Sequence, residues 1–366
     1  MRRVSFVDFP AQYAEEKDAI HRCVEQVFRE GQFIGGPAVG ALEEAVARFV
    51  GTKHAIALNS GTDALIFAMR AGGVNAGDEV ITPPNSFVAS TAAVVHIGAK
   101  PIFVDVQPDQ NIDPDKIEAA ITPRTKAVMP VHLTGRIADM DRIMKIATKH
   151  KLLVVEDAAQ AFGSTYNGKQ AGAIGHVGCF STHPLKNLNA AGDGGLVTTN
   201  DDAIAARIRS LRNHGLVDRN TVQEFAFVSR MDTLQAAFLL ERLFRLDSVI
   251  ERRRRNAALY RSLLDPKHVF MPPCRNIEFN TFHTFVVQVD RRDVLQKALA
   301  DAGIGSAIHY PIPIHLQPAA KSLGVARGAF PAVEQQAGRI LSLPIHQFLT
   351  EDDVRYVAQT VNRFYA

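Results

Sequence analysis

The sequence predicts a large α/β domain built on a mostly parallel sheet, followed by a smaller C-terminal α+β domain. Three observations carry that expectation. Short continuous apolar runs alternate with helix-like stretches through the first two-thirds of the chain. Strands buried on both faces read this way, and helices on both sides of a parallel sheet bury them so. Residues 234–264 then hold apolar residues at helical spacing without a Gly or Pro. Beyond them, strand and helix patterns resume on a smaller scale.

Taken in order, residues 38–71 read as a helix, the short strand HAIAL (54–58) and a second helix opening with Asn59-Ser60-Gly61-Thr62-Asp63. EVITPP, a small-residue helix around 88–97, KPIFVDV and DPDKIEAAIT follow, then KAVMPVHL, a helix at 139–150 and KLLVVEDAA. The stretch 234–264 is a long connecting helix, broken at most once. HTFVVQV, DVLQKALADAG and DVRYVAQTVNRFY make up the C-terminal region. The expected domains are 1–245 and 246–366, with the first 20 or so residues packing on the smaller one.

Composition narrows the function. At 46% apolar and 22% charged residues the chain is neither disordered nor low-complexity. Its 41 basic and 38 acidic residues give a net charge of +3, too little for a general nucleic-acid binder. Three scattered cysteines without CxxC spacing argue against a disulfide framework or structural zinc and fit a reducing cytoplasm. The N-terminus lacks a secretory apolar region, no apolar run approaches a membrane span, and no His/Cys/Asp cluster has metal-ligand spacing.

Four features carry chemistry together. Asn59-Ser60-Gly61-Thr62 stands between strand and helix, where backbone N–H groups meet the positive helix end and cradle an anion. Glu156-Asp157 closes an apolar strand, and Gln160 follows. Ligands of open α/β sheets sit at that strand end. Lys186 follows Ser181 and His183 and precedes the glycine-rich segment 190–195. A lysine so placed is a candidate Schiff-base nucleophile. Phe87 follows a strand ending in Pro83-Pro84 and offers a flat wall. Each has an ordinary explanation alone: a helix cap, a capping Asp, a solvated lysine, a core aromatic. Their combination is what pyridoxal 5'-phosphate requires: an amine for its aldehyde, a carboxylate for its ring nitrogen, an anion cradle and a flat face.

The segments NSGTDAL (59–65), VVEDAAQAFGS (154–164), FSTHPLKNLNAAGDGG (180–195), RNHG (212–215), SRMDTLQAA (229–237) and IHYPIPIHLQ (308–317) resemble the DegT/StrS-type sugar-nucleotide aminotransferases. The resemblance runs from about Phe33 to the end. It implies an aspartate-aminotransferase-like fold of type I and a homodimer with active sites at the subunit interface. Lys186 would bind the cofactor aldehyde as an imine, and Asp157 would pair with the ring nitrogen. Gln160 would lie beside the ring and Phe87 would stack on it. Ser60, Gly61, Thr62 and Ser181 would hold the phosphate. His183, Arg230, His309, Tyr310 and His315 would lie toward the substrate.

One position departs from the pattern. Many relatives carry Asn two residues before the Arg of the RMD motif, and it reaches the neighbouring subunit's cofactor phosphate. This chain has Val228, which leaves Asn213, Ser229 or water to replace the contact. Relatives that dehydrate rather than transaminate carry His in place of the lysine, so Lys186 points to transamination. The resemblance thus implies transfer of an amino group from an amino acid, L-glutamate by family habit, to a nucleotide-linked keto-sugar, for glycan or secondary-metabolite biosynthesis. The alternatives are a non-nucleotide keto-sugar or cyclitol as acceptor, or a regulatory homologue that binds the cofactor without turnover. Outside the motifs, Arg252–Arg255 read as a solvated helix face, and His132 and His183 read as structural, His183 adjoining the lysine loop.

Overall fold

A computed structural model describes residues 2–366. Its centre is a sheet of β1 (His54–Leu58), β2 (Glu79–Thr82), β3 (Lys100–Phe103), β4 (Thr125–Val128), β5 (Leu153–Asp157), β6 (Val177–Ser181) and β7 (Gly195–Thr199). The spatial order is β1-β7-β6-β5-β4-β2-β3, and only β7 runs against its neighbours. The apolar runs are continuous because both faces are covered. Ala55 and Ala57 join one apolar cluster with Leu42, Val46, Ile143, Leu239 and Leu246. Ile56 and Leu58 point the other way, into a cluster with Leu65, Met69, Val94 and Ile208.

The helices begin and stop where their caps dictate. Asp139 accepts the Arg142 N–H at the start of Met140–His150, and Ser60 accepts the Asp63 N–H at the start of Gly61–Ala71. DPDKIEAAIT yields only one α-turn, Pro114–Ile117, and a 3₁₀ turn, Glu118–Ala120. Three helices lie outside the predicted elements: Phe9–Glu30, Asp202–Leu211 and Pro331–Ala337.

The helix Thr233–Leu263 runs unbroken. Ala236, Leu239, Leu246 and Ile250 belong to the first cluster, while Ala257 and Tyr260 belong to a third. That third cluster lines an antiparallel sheet of Val269–Phe270, Phe285–Val289 and Ile340–Leu343, together with the helices Arg292–Asp301 and Glu351–Tyr365. The N-terminal residues join it: Val4 N–H donates to Gly303 O at 2.9 Å, Gly305 N–H donates to Val4 O at 2.8 Å, and Arg2 pairs with Asp353 at 2.7 Å. From there Phe9–Glu30 crosses to the long helix, where Arg242 donates to Glu16 at 2.7 and 2.9 Å.

Candidate active site

Strands β1, β5 and β6 end on one edge of the sheet, and each end delivers one part of a cavity of about 410 Å³. At β1, Ser60 caps the next helix with both its oxygens, accepting Asp63 N–H through Oγ and Ala64 N–H through its carbonyl, each at 3.1 Å. A helix leaves its first N–H groups without internal partners. Here those of Gly61 and Thr62 border the cavity, at the positive end of the helix. A Cβ on Gly61 would lie 2.7 Å from Ser181 Cβ, so only glycine lets the end of β6 close against this turn. Ser60, Gly61, Thr62 and Ser181 thus form one wall.

At β5, consecutive carboxylates part to opposite faces. Glu156 accepts N–H bonds from Gly172 and Ile174 at 2.9 and 2.8 Å, and His132 Nε2 lies 2.9 Å away. Ala138 N–H donates to the other ring nitrogen of His132, so Nε2 carries the proton. Burial raises the Glu156 pKa, but the His132 contact and the backbone N–H groups outweigh it and the net direction is down. That pair braces the fold, as read for His132.

Asp157 instead lines the cavity. Ser90 Oγ donates to its Oδ2 at 2.6 Å and Ala159 N–H to its Oδ1 at 3.2 Å, while Ser86 Oγ donates to Ser90 at 2.8 Å. Burial pushes the Asp157 pKa up, opposed by Ser90, the Ala159 N–H and the charge of Lys186. Lys186 borders the same cavity. Desolvation lowers its pKa to about 8, with the Asp157 charge pulling the other way.

The remaining candidates fall into two groups. Phe87, 56% exposed, stands 5.9 Å from the Tyr310 ring, tilted by 46°. Gln160 is fixed between Thr134 N–H, which it accepts at 2.8 Å, and the Tyr310 hydroxyl at 3.4 Å. His309 contacts Ser342 Oγ at 2.8 Å and stacks on Phe6, and burial lowers its pKa to about 4. Burial and the nearby Asp157 raise that of Tyr310 to about 12. His183 is exposed at the cavity mouth and accepts Leu185 N–H through its ring.

Four candidates do not reach this cavity. Ser229 is buried and exchanges hydrogen bonds with Asn59 at 3.0 and 3.3 Å. Arg230 donates to Asn213 at 3.3 Å, away from the cavity. His315 is buried beside Phe103 and Phe330, 3.0 Å from Glu334.

The sequence reading missed Arg253, His283, Gln347 and the N-terminal Phe6 and Asp8, all of which line the cavity. The solvated-face reading of the arginine run fails at Arg253, which is 8% exposed. A signal was available: Ile250, Arg253, Ala257 and Tyr260 recur at helical spacing on one buried stripe.

A buried amine with a lowered pKa, a buried carboxylate, a helix N-terminus narrowed by glycine and an aromatic wall fit pyridoxal 5'-phosphate. The fold and site define a pyridoxal-phosphate-dependent aminotransferase class of fold type I. A profile of the DegT/DnrJ/EryC1/StrS aminotransferase family matches residues 14–362, and the chain belongs to that family. It is 41% identical over 366 residues to a Geobacillus stearothermophilus "pleiotropic regulatory protein", covering 99% of this chain and 98% of that one. It is 41% identical over 355 residues to the Pseudomonas aeruginosa UDP-2-acetamido-2-deoxy-3-oxo-D-glucuronate aminotransferase, covering 97% and 98%. Among solved structures, S. venezuelae DesV in complex with a ketimine intermediate matches with a TM-score of 0.97 and 40% identity, covering 100% of this chain and 99% of that chain. Other solved relatives hold the pyridoxal or pyridoxamine form of the cofactor.

Proposed function

We propose that the chain is a pyridoxal-phosphate-dependent aminotransferase that moves an amino group from L-glutamate to a nucleotide-linked keto-sugar, acting as a homodimer in the cytoplasm. The observation that carries this reading is Lys186, its pKa lowered to about 8, sharing one cavity with buried Asp157 and the helix N-terminus at Gly61. Relatives named for UDP- and dTDP-linked sugar transamination support the acceptor class.

When bound, pyridoxal phosphate supplies an aldehyde and a conjugated ring that takes up the electron pair of a neighbouring carbon–hydrogen bond. Lys186 Nζ holds that aldehyde carbon. Once freed, Nζ would be the base that takes the proton from the donor's α-carbon and hands it on toward the cofactor. A pKa near 8 gives Nζ a usable neutral fraction, whereas an ordinary lysine stays an ammonium. Asp157, its oxygens fixed by Ser90 and Ala159, keeps the proton on the ring nitrogen. Ser60, Gly61, Thr62 and Ser181 take the phosphate with hydroxyls and helix N–H groups. Phe87 would cover the ring face and Gln160 would lie beside it. The same groups run in reverse on the sugar ketone, with His183, His309 and Tyr310 toward the sugar.

Asn213, Ser229 and Arg230 belong, in this reading, to the partner subunit's site. The segment that carries them exposes Phe225 (98%) and Val228 (50%), apolar surface that a second copy would cover. No helix among the described residues is long and apolar enough to cross a membrane.

The test is incubation with cofactor, glutamate and a panel of nucleotide-linked 3- and 4-keto-6-deoxysugars, reading amine formation by mass. Amination only of a free keto-sugar or cyclitol moves the acceptor class. Cofactor binding with no amination of any acceptor favours a regulatory role, as the name of the Geobacillus relative suggests for that protein.

A further inference from the structure

We propose that Arg253 anchors the carboxylate of the amino-acid donor, an inference that rests on the transaminase reading above. Arg253 comes from the middle of the helix Thr233–Leu263 and borders the cavity with His283, His309 and Gln347. Its guanidinium has five N–H donors. Nη1 donates to Phe282 O and His283 O at 3.4 and 3.2 Å, and Nη2 donates to Gln347 Oε1 at 3.2 Å. Nε has no acceptor. All three acceptors are neutral, and no carboxylate among the described residues acts on this guanidinium. Burial alone lowers its pKa to about 10.

The incompletely used edge is the one made by Nε and Nη2. Elsewhere this chain uses that edge for carboxylates: Arg2 on Asp353, Arg124 on Glu79 and Arg242 on Glu16, each through Nε and Nη2 at 2.7 to 3.1 Å. A buried cation without a counter-charge is costly, and an anionic ligand relieves that cost. Every amino-acid donor carries a carboxylate one bond from the carbon that loses its proton. Asp157 repels that group from the floor, whereas Arg253 attracts it.

His283 beside Arg253 adds an Nδ1 without a partner. Burial, then the charges of Lys186 and Arg253, hold its ring neutral. The Gln347 amide oxygen keeps the carboxylate's place at 3.2 Å. A carboxylate forms a shorter, charge-assisted bond of about 2.7–2.9 Å to guanidinium. Nε is covered by protein, so the carboxylate is taken at Nη2, in the place of the Gln347 oxygen.

The experiment separates the two half-reactions of the holoenzyme. In Arg253→Gln the glutamate concentration for half-maximal rate should rise roughly ten- to hundredfold, the loss of a charged hydrogen-bonding partner. The reaction of the pyridoxamine form with the keto-sugar should keep its concentration dependence. Glutarate, a dicarboxylate without an amine, should raise the melting temperature of the wild-type holoenzyme and leave that of Arg253→Gln unchanged. Arg253→Lys, which keeps the charge but not the fork, should fall between them in glutamate dependence. An unchanged glutamate dependence, a loss confined to the sugar half-reaction, or equal stabilisation of wild type and Arg253→Gln by glutarate overturns the proposal. If Arg253→Gln does not fold, absence of glutarate stabilisation in the wild type overturns it instead. A wild type that aminates no acceptor yet is stabilised by glutarate through Arg253 sinks the transaminase reading and keeps the anchor.

Discussion

Asp157 and Ser181 stand at the ends of neighbouring strands, and Ser60 and Gly61 follow a third strand of the same sheet. Arg253, His283 and His309 reach the same cavity from a helix interior and two distant segments of the C-terminal third. The floor is held by the sheet's own ladder, as when Asp157 N–H donates to Pro130 O and its carbonyl accepts from His132 N–H, both at 2.9 Å. The far wall is held by side chains gripping loops, as Arg253 grips the carbonyls of Phe282 and His283. Asp157 and Ser181 are thus placed by the rigid part, whereas Arg253 is placed by the contacts it makes with loops.

The comparison breaks first at Lys186. Lys186→Ala is expected to lower the glutamate half-reaction by ~10³-fold or more, the scale of losing a general base together with the covalent hold. Borohydride reduction of the loaded wild type should fix the cofactor on a single peptide. A labelled peptide without Lys186 removes the central assignment.

Asp157→Asn tests the floor without removing the covalent link. Cofactor should stay bound while turnover falls about 10²- to 10³-fold, the range of other electrostatic deletions in active sites. Near-normal turnover in the amide variant would unseat Asp157 while leaving the cofactor assignment intact.

A smaller effect follows from the titration of Lys186. Its pKa is lowered, so the neutral amine gains as pH rises through about 8. Capture of pyridoxal phosphate by cofactor-free protein, followed by visible absorbance, should accelerate roughly tenfold from pH 7 to pH 9 and then level. A rate still climbing steeply above pH 9 would indicate an ordinary solvated lysine.

The smallest effect belongs to Val228, which lies outside both regions compared above. Cofactor phosphate binding is expected to rest on Thr62 and Ser181 with little help from the partner. Val228→Asn should then slow dissociation of pyridoxamine phosphate by up to about tenfold, one added hydrogen bond's worth. The rate of cofactor capture should stay the same. A structure of the dimer with a partner side-chain donor within about 3 Å of the phosphate would show that the contact had moved rather than vanished.

The floor was legible because its signals are local. An apolar strand ending in a carboxylate, a strand ending in Asn-Ser-Gly-Thr and a lysine ahead of glycines each announce a strand end. Arg253 was misread because four successive arginines look solvated, although its spacing from Ile250 and Ala257 fits the buried stripe. Phe6 and Asp8 were invisible, since they reach the cavity only after Val4 has paired with the segment 303–305. His315 shows the converse: its motif lies beside Tyr310 in sequence, but the turn Ile314–Leu316 buries its ring against Phe103 and Phe330.

Glu156 and Asp157 differ by one methylene and one position, yet one braces the fold and the other faces the cavity. Because side chains on a strand alternate, the reading frame of β5 decides which does which. A residue added between Leu153 and Glu156 would send the longer carboxylate to the cavity, and a residue lost there would set the shorter one before the N–H groups of Gly172 and Ile174. Length variation among descendants of this chain should therefore spare this strand and collect in exposed turns such as 326–329, where a register carries no such meaning.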